Sequence, residues 1–150
     1  MGDKIGIMGA GAVGSYVGAY FVKEGEDVTF IDMWPEHVVK MRTDGLHVTG
    51  SQGPFTVPVK AMHLTEAQNI SEPFDFVFIA VKSYDTEWAT HFIKRYVRDD
   101  GFFVSLQNCW NDVPIGEIVG PNRQLGCIAS HIEVALWEPA LVTRGGAVGR

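Results

Sequence analysis

The sequence predicts an α/β fold built on an open, doubly wound, mostly parallel sheet. Three observations predict it. Strand-like apolar segments alternate with amphipathic helical ones along the chain, as in repeated βαβ units. Some of those strands are apolar nearly throughout, as strands covered on both faces of a parallel sheet are. A glycine-rich turn, Gly9 to Gly14, joins the first strand to the first helix. The 150 residues suit one domain, and folding at that size buries about 70% of the unfolded chain's surface.

Each element has a local reason. Lys4 to Met8 (KIGIM) is a short apolar strand. Ala12 to Glu24 reads as a helix, with Val13, Val17, Tyr20 and Phe21 at spacings of three and four, and Gly25 ends it. Asp27 to Ile31 (DVTFI) is a second strand. Pro35 opens a second helix, where its missing N–H costs nothing, and Val38, Val39 and Met41 give that helix an apolar side. Leu46 to Val59 has β-type residues broken by Gly50, Gly53, Pro54 and Pro58, the pattern of a hairpin or irregular extended excursion. Phe74 to Val81 is a strand buried on both faces. Asp85 caps a helix running to about Val97, with Trp88, Phe92 and Ile93 inward. Phe102 to Leu106 is another buried strand, and Val113 to Val119 a short helix stopped by Gly120-Pro121. Leu125 to Ala129 is a further strand, and Glu133 to Thr143 alternates as β structure does.

Composition narrows the function. Apolar residues make up 46% and charged residues 20%, ordinary for a globular protein and unlike a disordered one. The 17 glycines exceed the roughly 7% average, which asks where backbone turns tightly or approaches something closely. A net charge of −6 argues against nucleic acid as a partner. The apolar run Phe76 to Val81 is far too short for a membrane span, so no membrane partner is expected. Cys109 and Cys127 are too few for a disulfide framework, and neither they nor His37, His47, His63, His91 and His131 show metal-ligand spacing, so no metal is expected. Trp34, Trp88, Trp110 and Trp137 are scattered without basic interleaving and suit core or interface packing. The N-terminus leads straight into a strand with no signal peptide, which places the expected location in the cytoplasm.

Gly9-Ala10-Gly11-Ala12-Val13-Gly14 is G-x-G-x-x-G in the context the motif needs, after a strand and opening a helix. Gly9 makes the tight turn, Gly11 lets backbone approach a pyrophosphate, and Gly14 lets the helix lie close on the strand. The N–H groups of the helix N-terminus face the phosphates. The fold class is therefore Rossmann-type. Asp32 follows the second strand directly, 18 residues beyond Gly14, where an acidic side chain accepts both ribose hydroxyls of an adenosine. A 2′-phosphate there would meet a like charge, so Asp32 favours NAD over NADP; a helix-capping role can coexist. Lys82 and Asn108 end successive strands, and ligands of open α/β sheets sit beyond the carboxyl ends of strands. Lys82 supplies a cation for a carboxylate or phosphate, and Asn108 a donor and an acceptor.

The segments Lys4 to Gly14 (K-I-x-I-x-G-A-G-A-V-G), Val81 to Thr86 (V-K-S-Y-D-T) and Leu106 to Asn108 (L-Q-N) together resemble the N-terminal domain of ketopantoate reductases, the 2-dehydropantoate 2-reductases. The resemblance covers nearly the whole chain, and Gly145-Gly146-Ala147-Val148-Gly149 resembles the end of that domain. It implies that Lys82 and Asn108 contact the nicotinamide cofactor or a 2-keto acid near the site of hydride transfer, and that Ser130, His131 and Ile132 lie near the nicotinamide. It also implies a helical C-terminal domain, beyond this chain, supplying a general-acid lysine and most substrate contacts. Three departures stand out. Most of the family uses NADPH and has a basic residue where this chain has Asp32. Its Q-N-G is Gln107-Asn108-Cys109 here, so a positive φ at that place would strain Cys109. The chain stops where the helical domain would begin.

The expected function is thus an NAD(P)H-binding domain of a ketopantoate-reductase-like oxidoreductase in pantothenate biosynthesis. Two other readings stay open at this point, an S-adenosylmethionine-dependent methyltransferase and a dinucleotide-binding module without turnover. An apolar face left uncovered would favour self-association as a homodimer.

Overall fold

A computed structural model of the chain describes residues 2–146. The last three residues of the Gly145-to-Gly149 segment lie outside that range. Six parallel strands form the main sheet: β1 (Lys4–Met8), β2 (Asp27–Asp32), β5 (Lys60–His63), β6 (Phe74–Ile79), β7 (Val97–Leu106) and β8 (Gln124–Cys127), in the spatial order β5-β2-β1-β6-β7-β8. The doubly wound Rossmann-type arrangement follows from that order: the chain winds outward from β1 through β2 to β5, then returns to β6 on the other side of β1 and winds out to β8. In register, Ile7 of β1 lies between Phe30 of β2 and Phe78 of β6.

Helices α1 (Ala12–Lys23) and α2 (Pro35–Asp44) serve one face of this sheet, α3 (Thr86–Ile93) and α4 (Asp112–Val119) the other. On the first face Ile7 and Phe30 meet Ala19 and Tyr16 of α1 and Val38 and Met41 of α2. On the second, Met8, Ile31, Val77, Ile79 and Phe103 meet Ala89 and Ile93 of α3 and Ile115 of α4. A second sheet lies outside α1: β3 (Leu46–Gly50), β4 (Phe55–Val57), β9 (Val134–Glu138) and β10 (Leu141–Arg144), in the order β4-β3-β10-β9. The β3–β4 pair is the hairpin expected between Leu46 and Val59, with Leu46 opposite Val57. The Glu133 to Thr143 segment is also β structure, a second hairpin whose β10 runs parallel to β3. Among the described residues no helix is long and apolar enough to cross a membrane.

Three elements and two tryptophans differ from the sequence reading. Strand β5 was not foreseen: Lys-Ala-Met-His carries no β-branched residue, and its edge position buries only Ala61 fully. Helix α3 stops at Ile93, passes through a 3-10 turn at Lys94–Tyr96, and gives Val97 to the sheet, where it pairs with Phe74. Its buried stripe is Thr86, Ala89, Thr90 and Ile93, so Trp88 turns outward, 49% exposed, and stacks on Phe92 at 5.6 Å. Small side chains face the sheet there, and the bulky ring goes to the rim. Likewise His37, not Val39, completes the inner face of α2; Val39 is exposed. Trp110 and Trp137 are exposed rather than packed in the core.

The inner face of α1 consists of Gly14, Ser15, Tyr16, Gly18 and Ala19, with Val17, Tyr20 and Phe21 only partly buried beside it. A Cβ on Gly18 would overlap the ring of Phe30, which is fully buried and cannot yield. Gly18→Ala should gain about 1 kcal/mol of helix propensity and lose about 1–3 kcal/mol to overpacking. The expected outcome is a lower urea midpoint; a higher one would show that helix and sheet are not in close contact.

Candidate functional site

The carboxyl ends of β1, β2, β6 and β7 open into one cleft of about 330 Å³ at the point where the strand order reverses. Gly9, Gly11, Ala12 and Val13 form its floor, Asp32 and Met33 one side, and Lys82, Ser83, Gln107 and Asn108 the other. Ala129, beyond β8, and Val134, the first residue of β9, complete the lining. Of the residues the sequence singled out, Gly9, Gly11, Ala12, Val13, Asp32, Lys82 and Asn108 come together here. Ala10 and Gly14 lie beneath the floor. Ile132 packs partly buried against the core, outside the lining, on the segment between Ala129 and Val134. His131 beside it has φ 57° and accepts or shares a hydrogen bond with the Ser130 hydroxyl at 2.7 Å.

Gly9 and Gly14 stand where the spacing of the turn suggests. Gly9 has φ 98°, and a Cβ there would lie 2.8 Å from the Val81 amide nitrogen. Its own N–H donates to the Ile31 carbonyl at 2.9 Å, which ties the turn to β2. Above Gly11 a Cβ would meet nothing within 4 Å, so this peptide borders open space. Gly14 has no such room, since its Cβ would collide with the Gly9 carbonyl and approach Ile7 at 3.0 Å. An anion could therefore approach Gly11 closely, and the first turn of α1 would face it with free N–H groups.

Asp32 accepts the Trp34 N–H on Oδ1 at 2.9 Å. That bond fixes the carboxylate at the mouth of the cleft and leaves the other oxygen for a ligand hydroxyl. The helix cap expected of Asp32 does not form: Trp34 is the N-cap residue of α2, without a side-chain capping bond, and Asp32 closes the turn that precedes it. Met33 beside it is held by His63 of β5: the Thr65 N–H donates to His63 Nδ1, so Nε2 donates to the Met33 carbonyl, at 3.0 Å.

On the other side, Gln107 is nearly buried at the edge of the cleft. Its Nε2 donates to the Val81 carbonyl at 2.7 Å and to the Thr86 hydroxyl at 2.8 Å. Asn111 Nδ2 donates to the Asn108 carbonyl at 2.8 Å, and the Ser83 hydroxyl to the same oxygen at 3.2 Å. These bonds stitch the loop after β6 to the loop after β7, so Lys82 and Asn108 are presented side by side with exposed side chains. Among the described residues lining the cleft, Lys82 is the one basic side chain, and it enters no ion pair with a described residue. Cys109 has φ 69°, the left-handed backbone anticipated if it stands where a glycine is usual. The brace residues Gln107, Asn111, Thr86, Ser15 and His37 were not read as such from the sequence. For His37 a signal existed, because positions 37, 38 and 41 share one helical face.

The model of the family described as "Ketopantoate reductase PanE/ApbA" matches residues 5–147. The 2-dehydropantoate 2-reductase of Pyrococcus horikoshii is 36% identical over 140 residues, covering 93% of this chain and 43% of that protein. The crystal structure of 2-dehydropantoate 2-reductase from Geobacter metallireducens superposes with a TM-score of 0.83 at 29% identity, over 96% of this chain and 46% of that one. The fold is also that of D-mandelate dehydrogenase, solved with NADH and anilino(oxo)acetate: TM-score 0.84, 24% identity, over 95% of this chain and 45% of that one. The chain spans less than half the length of the curated relatives it matches, 43% and 46% of the first two.

Gly11 has φ −66°, which any residue tolerates, and open space above it. Gly11→Val should therefore keep the thermal midpoint of the chain while weakening NADH binding at least about tenfold, or 1.4 kcal/mol. Unchanged affinity in the folded variant, measured by fluorescence titration, would place the ligand elsewhere.

Proposed function

Because the chain belongs to the ketopantoate reductase PanE/ApbA family, we propose that it is the NAD(P)H-binding domain of a cytoplasmic 2-keto acid reductase. One observation carries the reading: the open peptide at Gly11, the half-used carboxylate of Asp32 and the stitched pair Lys82–Asn108 share a single cleft at the switch point of the sheet. The dinucleotide would lie with its adenosine ribose at Asp32, its phosphates over Gly11 and the start of α1, and its nicotinamide toward Lys82 and Asn108. The residues present fit that group, which supplies a hydride when bound.

The keto acid accepts that hydride at its carbonyl carbon, and the carbonyl oxygen takes up a proton to give the 2-hydroxy acid. Lys82 attracts the substrate carboxylate and polarises the carbonyl, while Asn108 orients amide or carbonyl groups by donating and accepting. Holding the reacting atoms about 3–3.5 Å apart is worth several orders of magnitude in rate, and the bonds from Gln107 and Asn111 serve that purpose by fixing both loops. The proton donor is assigned to a lysine of the helical domain implied by the family resemblance. The methyltransferase and non-catalytic readings find no support in the family match.

Asp32 makes NADH the preferred cofactor in this proposal, against the NADPH habit of the family. Asp32→Asn keeps an oxygen for the Trp34 N–H and removes the charge that opposes a 2′-phosphate. The expected result is a narrower gap between the NADH and NADPH dissociation constants. A wild-type preference for NADPH would overturn the assignment.

The chain alone should bind NADH and reduce keto acids very slowly. Loss of general acid assistance costs roughly 10²–10⁴-fold, and an unclamped substrate adds to it. Single-turnover oxidation of bound NADH by ketopantoate, with and without a separately supplied helical domain from a relative, measures this. Full activity of the chain alone would make Lys82 the acid. Sedimentation of the same sample tests whether the exposed Trp110 and Ile128 bring two copies together as a homodimer.

A further inference from the structure

Ala10 is flanked by two glycines, and Gly9 already uses a positive φ. Glycine neighbours make a peptide flip inexpensive, so something must select the orientation of the Ala10–Gly11 peptide. Two buried donors do so. His37 Nε2 donates to the Ala10 carbonyl at 2.8 Å, and the Ser15 hydroxyl donates to the same oxygen at 2.7 Å. Both side chains are fully buried. In a trans peptide the N–H lies on the edge opposite the C=O. Drawing the Ala10 carbonyl inward thus turns the Gly11 N–H outward, to the open space above Gly11.

His37 is held from its other side as well. The Ala140 N–H, in the turn between β9 and β10, donates to Nδ1 at 2.9 Å. Nδ1 therefore carries a lone pair, and Nε2 carries the proton it gives to Ala10. The indole of Trp34 stacks over the ring at 5.5 Å.

We propose that His37 is a positioning residue for cofactor binding: as the neutral Nε2–H tautomer it sets the Ala10–Gly11 peptide so that the Gly11 N–H faces a bound phosphate, and it couples that setting to the β9–β10 turn. The proposal rests on the dinucleotide reading of the cleft and adds a residue and a proton to it. Protonating Nδ1 would point N–H against N–H at Ala140, release the turn and let the ring move off the Ala10 carbonyl. Burial holds the imidazole below its ordinary pKa of 6.5, against the Ala10 hydrogen bond and the charge of Asp32, which act the other way. Of the other charged groups nearby, Glu36 is exposed in the first turn of α2, Lys40 pairs with Asp44 and feels Glu138 of β9, and Arg144 of β10 lies over Tyr16. NADH affinity should hold above the ordinary value and fall on acidification below it, as the folded protein takes up one proton.

Three measurements on the chain test this. The first is an NMR titration of the chain without cofactor. The Gly11 amide resonance should move with the His37 ring, at one midpoint below 6.5. A Gly11 amide indifferent to His37 overturns the proposal, whether or not any dinucleotide binds. The second compares His37→Phe with His37→Gln by NADH titration near pH 7.5, about one unit above the ordinary histidine value. Phe should lose at least about tenfold, the worth of one to two hydrogen bonds. Gln, which can donate to Ala10 and accept from Ala140, should recover part of the loss and flatten the acid limb. The third is adenosine binding, which uses no phosphate and should be unchanged in both variants. A folded Phe variant with wild-type NADH affinity overturns the proposal. A wild-type chain that binds neither NADH nor NADPH refutes the dinucleotide reading, while the Gly11 titration still decides the role of His37.

Discussion

The close contact between α1 and the main sheet is the constraint on which the rest depends. Gly14 sits against the Gly9 carbonyl and Gly18 against the ring of Phe30, with no side chain between them. Any larger residue would lift the helix away from β1 and draw its N-terminus back from the strand end. With the contact made, the partial positive charge of the helix end lies at the reversal of strand order, where β2 and β6 diverge from β1. The same thin helix has room on its outer side for the second sheet, whose Leu46, Val48 and Val142 join the core that Ile7 and Phe30 begin. One packing choice thus sets the cleft floor and makes the smaller sheet part of the same core.

Rigidity on the opposite wall comes from hydrogen bonds instead of apolar contact. Gln107 is the hub: its amide holds Val81 and Thr86 across to β7, and the Ser105 hydroxyl donates to its Oε1 at 3.2 Å. A buried amide with its bonds satisfied orders two loops at once, and leaving it unsatisfied would be costly. That explains why Gln107 is inward while its neighbour Asn108 is exposed. The strained backbone at Cys109 follows directly after this hub, where the chain must reverse to enter α4.

Much of this was legible in the sequence because the signals are local. A glycine turn between strand and helix, an acid at the end of the next strand, and polar residues at the ends of two apolar strands all declare themselves within a few residues, and the structure brings them to one cleft. Packing phase was less legible. The inner faces of α2 and α3 were misjudged by a residue or so because Val39 and Trp88 look like core, while His37 and Thr90 do not. Strand β5 exists because β2 offers it an edge, not because Lys-Ala-Met-His favours extension. The partnership of β10 with β3, far apart in sequence, has no local signature at all. The braces Gln107 and His37 belong to the same class, since their meaning lies in partners that are distant along the chain.

In the proposed reading, the segment from Asp32 to His37 carries both ends of ligand selection. Asp32 at its start faces the cleft, and its carboxylate is oriented by the Trp34 N–H; Trp34 in turn stacks on His37, which donates to the Ala10 carbonyl beneath the floor. On that reading the ribose and phosphate contacts would lie at the two ends of a single turn. A basic side chain at position 32 has no acceptor for the Trp34 N–H, so it would remove a charge conflict and a turn-stabilising bond together. A basic residue at position 32 would thus require the turn into α2 to be rebuilt, and a shift of Trp34 would reach His37, on which it stacks. In that proposal the charge at position 32 would choose between the two dinucleotides, and the geometry of this turn would determine how readily that choice could be altered.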